Sequence, residues 1–210
     1  FTGEAGDKTV AHTVAAAAKW LGCRRNEIYV ASTGVIGVPV AEDYVTKKLP
    51  GVARKLGKAR WADAAAAIMT TDTFPKAAMR KVTVGKSSVT LVGIAKGSGM
   101  IAPDMATMLS FLATDALIDR KALDQILSEV CEKTFNRITV DGDTSTNDAC
   151  VLISTGRSGV DCNKSPKLDL VKEGVFQVMR DLAMAIVKDG EGATKFVEVR
   201  VKGGKTKLDC

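Results

Sequence analysis

Lys81-Val82-Thr83-Val84-Gly85-Lys86-Ser87-Ser88-Val89-Thr90-Leu91-Val92-Gly93 sets two β-rich runs on either side of a short break at Gly85-Lys86-Ser87. Valine and threonine suit the pleated, half-buried surface of a sheet, and a glycine-containing break between two such runs reads as an antiparallel hairpin. Upstream, residues 7–22 carry a helical pattern with Asp7 as its cap, and Glu27-Ile28-Tyr29-Val30-Ala31 reads as a short strand. Residues 41–58 and 61–69 read as further helices. Downstream, Met108 to Ala113 is an apolar run that fits a helix or a buried strand. Asp119 to Phe135 and Leu168 to Val187 are amphipathic helices, and Val197-Glu198-Val199-Arg200-Val201 is a closing strand. Helices and strands mix along the chain without an internal repeat or a low-complexity linker, which gives a mixed α/β (α+β) fold class.

Composition narrows the function classes. Apolar residues make up 46% of the 210 residues, enough for a core, and they are spread without a run long enough to span a membrane. The net charge of +6 is scattered and aromatics are only 5%, so neither a basic stripe nor a stacking surface points to nucleic acid. Five cysteines (Cys23, Cys131, Cys150, Cys162 and Cys210) are odd in number and lack metal-ligand spacing, and they read as reduced thiols of an intracellular protein. No signal peptide opens the chain, and Phe1-Thr2-Gly3-Glu4-Ala5-Gly6 reads like the interior of a longer one.

Several near-matches to known sites fail on inspection. Gly85-Lys86-Ser87 imitates the end of a phosphate loop, but Arg80 stands where its first glycine belongs and β-type sequence flanks it. Gly97-Ser98-Gly99-Met100-Ile101-Ala102 matches a dinucleotide fingerprint in form, yet Pro103 and Asp104 follow where a helix should be under way. Asp141, Asp143 and Ser145 start like a calcium loop, but Thr146 replaces the turning glycine and Leu152 the bidentate glutamate, so no metal is assigned. His12, the one histidine, sits in an alanine-rich helical stretch and is assigned no role.

One segment carries reactive chemistry. Ala95-Lys96-Gly97-Ser98-Gly99-Met100-Ile101-Ala102-Pro103-Asp104-Met105-Ala106-Thr107-Met108-Leu109 puts a single threonine between a glycine-rich approach and an apolar run. If the Thr107 hydroxyl attacks the Ala106 carbonyl, an N-to-O acyl shift and ester hydrolysis leave Thr107 at a new amino terminus. Its α-amine, with an ordinary pKa of about 7.7–8.0, then serves as the base that activates the hydroxyl, and no histidine is needed. Read without context, the same Ala-Thr step is also an ordinary strand entrance. Thr33-Gly34, after an apolar stretch, likewise reads as a tight turn or as a hydroxyl and an N–H aimed together at a developing oxyanion.

Lys96-Gly97-Ser98-Gly99-Met100 followed by Ala106-Thr107-Met108-Leu109 resembles the self-processing segment of the ornithine acetyltransferase (glutamate N-acetyltransferase) family. Four more segments match that family in order: Ser32-Thr33-Gly34-Val35-Ile36-Gly37, Met69-Thr70-Thr71-Asp72, Asp141-Gly142-Asp143-Thr144-Ser145-Thr146-Asn147-Asp148 and Asp189-Gly190-Glu191-Gly192-Ala193-Thr194-Lys195. The resemblance implies a layered αββα-type sandwich, incomplete here, and makes Met108 to Ala113 a strand, because the family's second subunit begins there. Residues 1–106 would be the end of an α-subunit and 107–210 the start of a β-subunit, together one intertwined domain truncated at both ends.

The implied activity is ping-pong acetyl transfer in arginine biosynthesis. Thr107 takes the acetyl group from N-acetylornithine and passes it to glutamate without a cofactor, and some members also accept acetyl-CoA as donor. The resemblance assigns Thr107 as nucleophile, Ala106-Thr107 as the cleaved bond, Thr33 and Gly34 as the oxyanion hole, and Thr70, Lys96, Thr107 and Glu191 as substrate contacts. It further implies an αβ heterodimer of the cleavage products, doubled into a heterotetramer, in the cytoplasm or in an organelle matrix. An N-terminal-threonine amidohydrolase or aminopeptidase, and a catalytically incomplete fragment, are the alternatives.

Overall fold

The hairpin forms where its β-branched runs place it. A computed structural model describes residues 1–57, 60–103 and 108–206. Strand β1 (Lys76–Val84) pairs antiparallel with β2 (Ser87–Lys96), from Val84 opposite Ser87 to Lys76 opposite Ala95. Gly85 takes φ 63°, the positive value that the first central residue of a two-residue hairpin turn demands and that glycine adopts without steric cost. Strand β3 (Leu109–Thr114) runs antiparallel to β2, with Leu109 opposite Lys96, so Met108 to Ala113 resolves as strand. Strand β4 (Ala149–Ser154) lies parallel to β3 and completes a sheet of order β1-β2-β3-β4.

Five helices accompany the sheet among the described residues: α1 (Gly3–Leu21), α2 (Tyr44–Ala53), α3 (Trp61–Ala67), α4 (Arg120–Cys131) and α5 (Lys167–Lys188). A parallel pair needs a crossover, and α4 supplies it between β3 and β4. It starts on Asp119, whose Oδ1 accepts the Ala122 N–H at 2.9 Å. Helix α5 lies across β1 and β2 and presents Val171, Val175, Val178, Met179, Leu182 and Ile186 to the core on one helical face. Helix α3 packs against β1 and β2 beside the pocket described below, whereas α1 and α2 pack on each other.

The fit between α5 and the sheet depends on glycine. A Cβ at Gly174 would stand 2.5 Å from Leu91 Cδ1 and 2.6 Å from Val82 Cγ2. Gly174→Ala gains about 1 kcal/mol of helix propensity but forces extra volume into a packed interface at a cost of about 1–3 kcal/mol. The expected net loss is about 1 kcal/mol, read as a lowered urea midpoint, and a raised midpoint would mean that Leu91 and Val82 swing aside at no cost.

The mixed α/β expectation holds, and the described residues contribute one sheet to it. Four local expectations change. Helix α1 starts at Gly3, and Asp7 lies inside it; the cap position belongs to Thr2, which makes no side-chain cap bond. Helix α2 covers only residues 44–53 of the expected 41–58. Glu27 to Ala31 is not a strand: Arg25–Glu27 form one 3-10 turn and the following residues have no regular structure, with Tyr29 90% exposed. Val197 to Val201 is not a strand either, and its valines are exposed. Both segments have β-type composition, but neither pairs with a strand among the described residues, and an unpaired strand leaves its backbone N–H and C=O groups to water.

Candidate active site

A buried ion network fixes one end of the sheet. Lys76, the first residue of β1, has no solvent-accessible side chain, and its Nζ donates to Asp72 Oδ1 at 2.6 Å and Asp189 Oδ2 at 2.5 Å. Asp72 also accepts the N–H groups of Gly97 (2.7 Å) and Thr70 (3.1 Å), while Asp189, at the C-cap of α5, accepts the Thr73 N–H at 3.0 Å and the Thr73 hydroxyl. Burial pushes both carboxyls up. For Asp72 the Gly97 N–H, Lys76 and the Thr70 N–H more than offset it, and for Asp189 Lys76 and Thr73 do the same, so both lie below the ordinary aspartate value. The loop at 70–73, the turn after β2 and the end of α5 are therefore locked together.

Above this network opens a cleft of about 280 Å³. Its central cation is Lys96, the last residue of β2, only 2% exposed yet lining the cleft. Among the described residues its ammonium has no hydrogen bond and no ion-pair partner. Burial lowers its pKa, and the more distant charges of Asp72 and Asp148 restore the value only in part. Opposite stands a chain of polar groups: the Thr71 and Ser98 hydroxyls share a hydrogen bond of 2.7 Å, and Ser98 Oγ reaches Glu191 Oε1 at 3.5 Å. The Glu191 N–H donates to the Ser98 carbonyl at 2.7 Å, which ties the segment after α5 to the turn after β2. A Cβ at Gly99 would fall 2.7 Å from Glu191 Cδ, so a larger residue here would push the Glu191 carboxylate from this position.

The turn then bends sharply. Met100 has φ 56°, an unusual value for a residue with a Cβ, and its N–H donates to Asp141 Oδ2 at 2.5 Å while that of Ile101 reaches Oδ1 at 3.1 Å. Farther on, the Met108 N–H donates to Asp148 Oδ1 at 3.3 Å, and the Ala149 N–H donates to the Met108 carbonyl at 3.1 Å. The Asp141–Asp148 segment thus braces the chain both before residue 104 and after residue 107. Its Asp141 carboxylate is occupied by backbone N–H donors, and among the described residues no group of three or more His, Cys, Asp or Glu side chains is placed to hold a metal ion.

The family model for ArgJ matches residues 1–210, the whole chain. The chain belongs to the ArgJ family. It is 46% identical over 209 residues to the arginine biosynthesis bifunctional protein ArgJ of Bartonella henselae, covering 98% of this chain and 51% of that protein. The ArgJ proteins of Nitrobacter winogradskyi (47% identity, 100% of this chain and 52% of that protein) and Neisseria meningitidis (49%, 98% and 51%) are similar to it to the same degree. The chain spans about half the length of the curated relatives it matches. A crystal structure of ArgJ from Bacillus halodurans matches with 43% identity over 39% of each chain, at a TM-score of 0.37.

Of the residues that the resemblance to the family singled out, Gly34, Thr70, Lys96 and Glu191 line the one cleft together, with Thr71 beside Thr70. Thr33 is half-buried next to Gly34 and does not line it. Ala106 and Thr107 lie outside the described residues. Reading the sequence for ArgJ motifs missed the ion network beneath the cleft. Asp72 and Asp189 closed or opened matched segments without receiving a role, and Lys76, after Phe74-Pro75, carried no signal at all. Ser98 and Asp141 were similarly passed over, one as a spacer between glycines and the other as part of a rejected calcium loop.

Proposed function

We propose that this chain is part of an acetyltransferase that moves the acetyl group of N-acetylornithine to glutamate through an acyl-threonine at Thr107. The observation that carries the reading is Lys96: a buried ammonium without a counter-ion among the described residues, in a small cleft that also holds Glu191 and the hydroxyls of Thr70, Thr71 and Ser98. An amino-acid substrate brings an α-carboxylate for such a cation and an amino group for such an anion, and two fixed charges of opposite sign orient it. Lys96 also pairs with Leu109 across the sheet, and Leu109 follows Thr107 by two residues.

Thr107 first attacks the Ala106 carbonyl, and hydrolysis of the resulting ester frees the Thr107 amine. That amine takes the hydroxyl proton as the oxygen attacks the acetyl carbonyl of N-acetylornithine, while the Thr33 hydroxyl and the Gly34 N–H hold the oxyanion. Ornithine departs with a proton, and the amine of glutamate then accepts the acetyl group. Acetyl-CoA would serve as an alternative donor to the same threonine, and no resident cofactor takes part. The two cleavage products would stay joined, because β2 and β3, which flank the cut, pair from Leu91 opposite Thr114 to Lys96 opposite Leu109. A pair of such heterodimers gives the proposed heterotetramer. The relatives named above are bacterial, which favours the cytoplasm.

Intact mass spectrometry of the denatured protein beside Thr107→Ala tests the first step. Two fragments, each about half of 22.2 kDa, with a new terminus at Thr107 and none in the variant, are the expected result. A single intact mass from the parent chain would sink self-cleavage here. For the second step, labelled acetylornithine with glutamate should yield acetylglutamate, and release of acetate alone would make the protein an amidohydrolase instead.

A further inference from the structure

Away from the cleft, the crossover brings two thiols together. Cys131 ends α4 and Cys150 is the second residue of β4, and α4 packs on β4. Both are half-buried, and both line a second, open cleft of about 530 Å³ at the surface, which Glu129, Glu132 and Asn136 border. Their thiols share this cleft and are close enough for each to act on the other's proton affinity. Their proximity makes them unequal: it holds Cys131 below the ordinary thiol value against the opposing effects of burial and Glu132, and it raises Cys150, whose burial acts in the same direction. The buried Ser110 hydroxyl, opposite Cys150 in the β3–β4 register and without a hydrogen-bond partner among the described residues, lowers the Cys150 value slightly.

We propose that Cys131 and Cys150 form a reversible dithiol–disulfide couple, oxidised by a small hydroperoxide that enters the cleft between α4 and β4. The Cys131 thiolate attacks one peroxide oxygen and the O–O bond breaks. Cys131 becomes a sulfenic acid, and the leaving hydroxide takes a proton to give water. The Cys150 thiol then attacks the sulfenic sulfur, the S–OH bond breaks, and the thiol proton leaves with the hydroxide as a second water. Two thiols thus lose two electrons and two protons, and one hydrogen peroxide becomes two waters. The acidic border of the cleft favours a neutral oxidant over an anionic one.

The pair is placed to matter. Cys150 lies two residues after Asp148, which accepts the Met108 N–H, and next to Ala149, which donates to the Met108 carbonyl. A disulfide holds its two Cα atoms about 4.4–6.8 Å apart, so oxidation ties the start of β4 covalently to the end of α4, beside the hook on the residue after Thr107.

Treating the purified chain with hydrogen peroxide, alkylating it and digesting it with trypsin without reduction tests this. The expected product is peptide 122–133 linked to peptide 138–157, lighter by two hydrogens than their sum and separated again by dithiothreitol. In Cys150→Ser, Cys131 should instead be trapped as a sulfenic acid that dimedone labels. Buried Cys162, whose pKa burial raises, should stay at least tenfold less modified than Cys131. Conversion of Cys131 to a sulfinic acid with no linked peptide, or linkage of either residue to Cys23, Cys162 or Cys210, would overturn the proposal. The peptide map of the parent chain decides this by itself if the variant does not fold.

Discussion

Lys76→Met should lower the stability of this chain by about 3–5 kcal/mol at neutral pH, the cost usually seen when one partner of a buried ion pair is removed. The side chain is fully buried, and it bridges two carboxylates at once while its ammonium also lies 4.9 Å from the Phe74 ring centroid. Without it, Asp72 and Asp189 are two negative charges left in the interior, although each keeps its backbone donors. The pH dependence separates this account from simple loss of packing. In the parent chain both aspartates have lowered values, so the unfolded state binds more protons as the pH falls through the aspartate range. Their contribution is present above about pH 4 and is lost as the pH falls through the lowered values. In Lys76→Met the unpaired carboxyls are raised instead, so the folded state binds more protons and the variant should gain stability as the pH drops from 7 toward 5. Urea unfolding at pH 7 and pH 5 should therefore find this contribution unchanged in the parent and the variant more stable at the lower pH. A loss under 1 kcal/mol, or parallel slopes, would show that the network contributes little.

That network was also the part of the site least legible in the sequence. Lys76 and Asp189 are 113 residues apart, and no periodicity links a lysine opening a strand to an aspartate closing a helix. The hairpin, α4 and α5 were readable because their patterns are local: β-branched runs around Gly85, and apolar residues at helical spacing from Val171 to Ile186. Strand β4 escaped, since Ala149-Cys150-Val151-Leu152-Ile153-Ser154 does not alternate and follows a segment that reads as a turn. Conversely, Glu27 to Ala31 and Val197 to Val201 have strand composition but no neighbouring strand among the described residues, and composition does not supply a partner. The convergence of Thr70, Lys96 and Glu191 on one cleft was legible only through the family's ordered motifs. Nothing in spacing brings together residues from a loop, a strand end and the segment after a helix.

Lys96→Met should separate binding from stability in opposite directions. A charge-assisted hydrogen bond to the carboxylate of the proposed substrate contributes about 1.5–3 kcal/mol, so kcat/KM for that acetylated amino acid should fall about 10- to 100-fold, and KM should carry the loss if the ammonium grips substrate and transition state alike. Folding should respond the other way, because burial disfavours this ammonium, no counter-ion stands beside it among the described residues, and an apolar side chain of similar length removes that cost. The signs with pH follow from the lowered pKa. As the pH rises through the folded-state value, below the ordinary lysine value of 10.5, the substrate loses its cation and KM should climb. Over that window the unfolded chain still binds the proton that the folded chain has released, so folding stability should increase with pH. The methionine variant should lack both Lys96-dependent trends. A parent chain whose KM stays flat across this range, or a variant that binds the substrate as tightly, would remove Lys96 as the carboxylate anchor and leave its burial without a function.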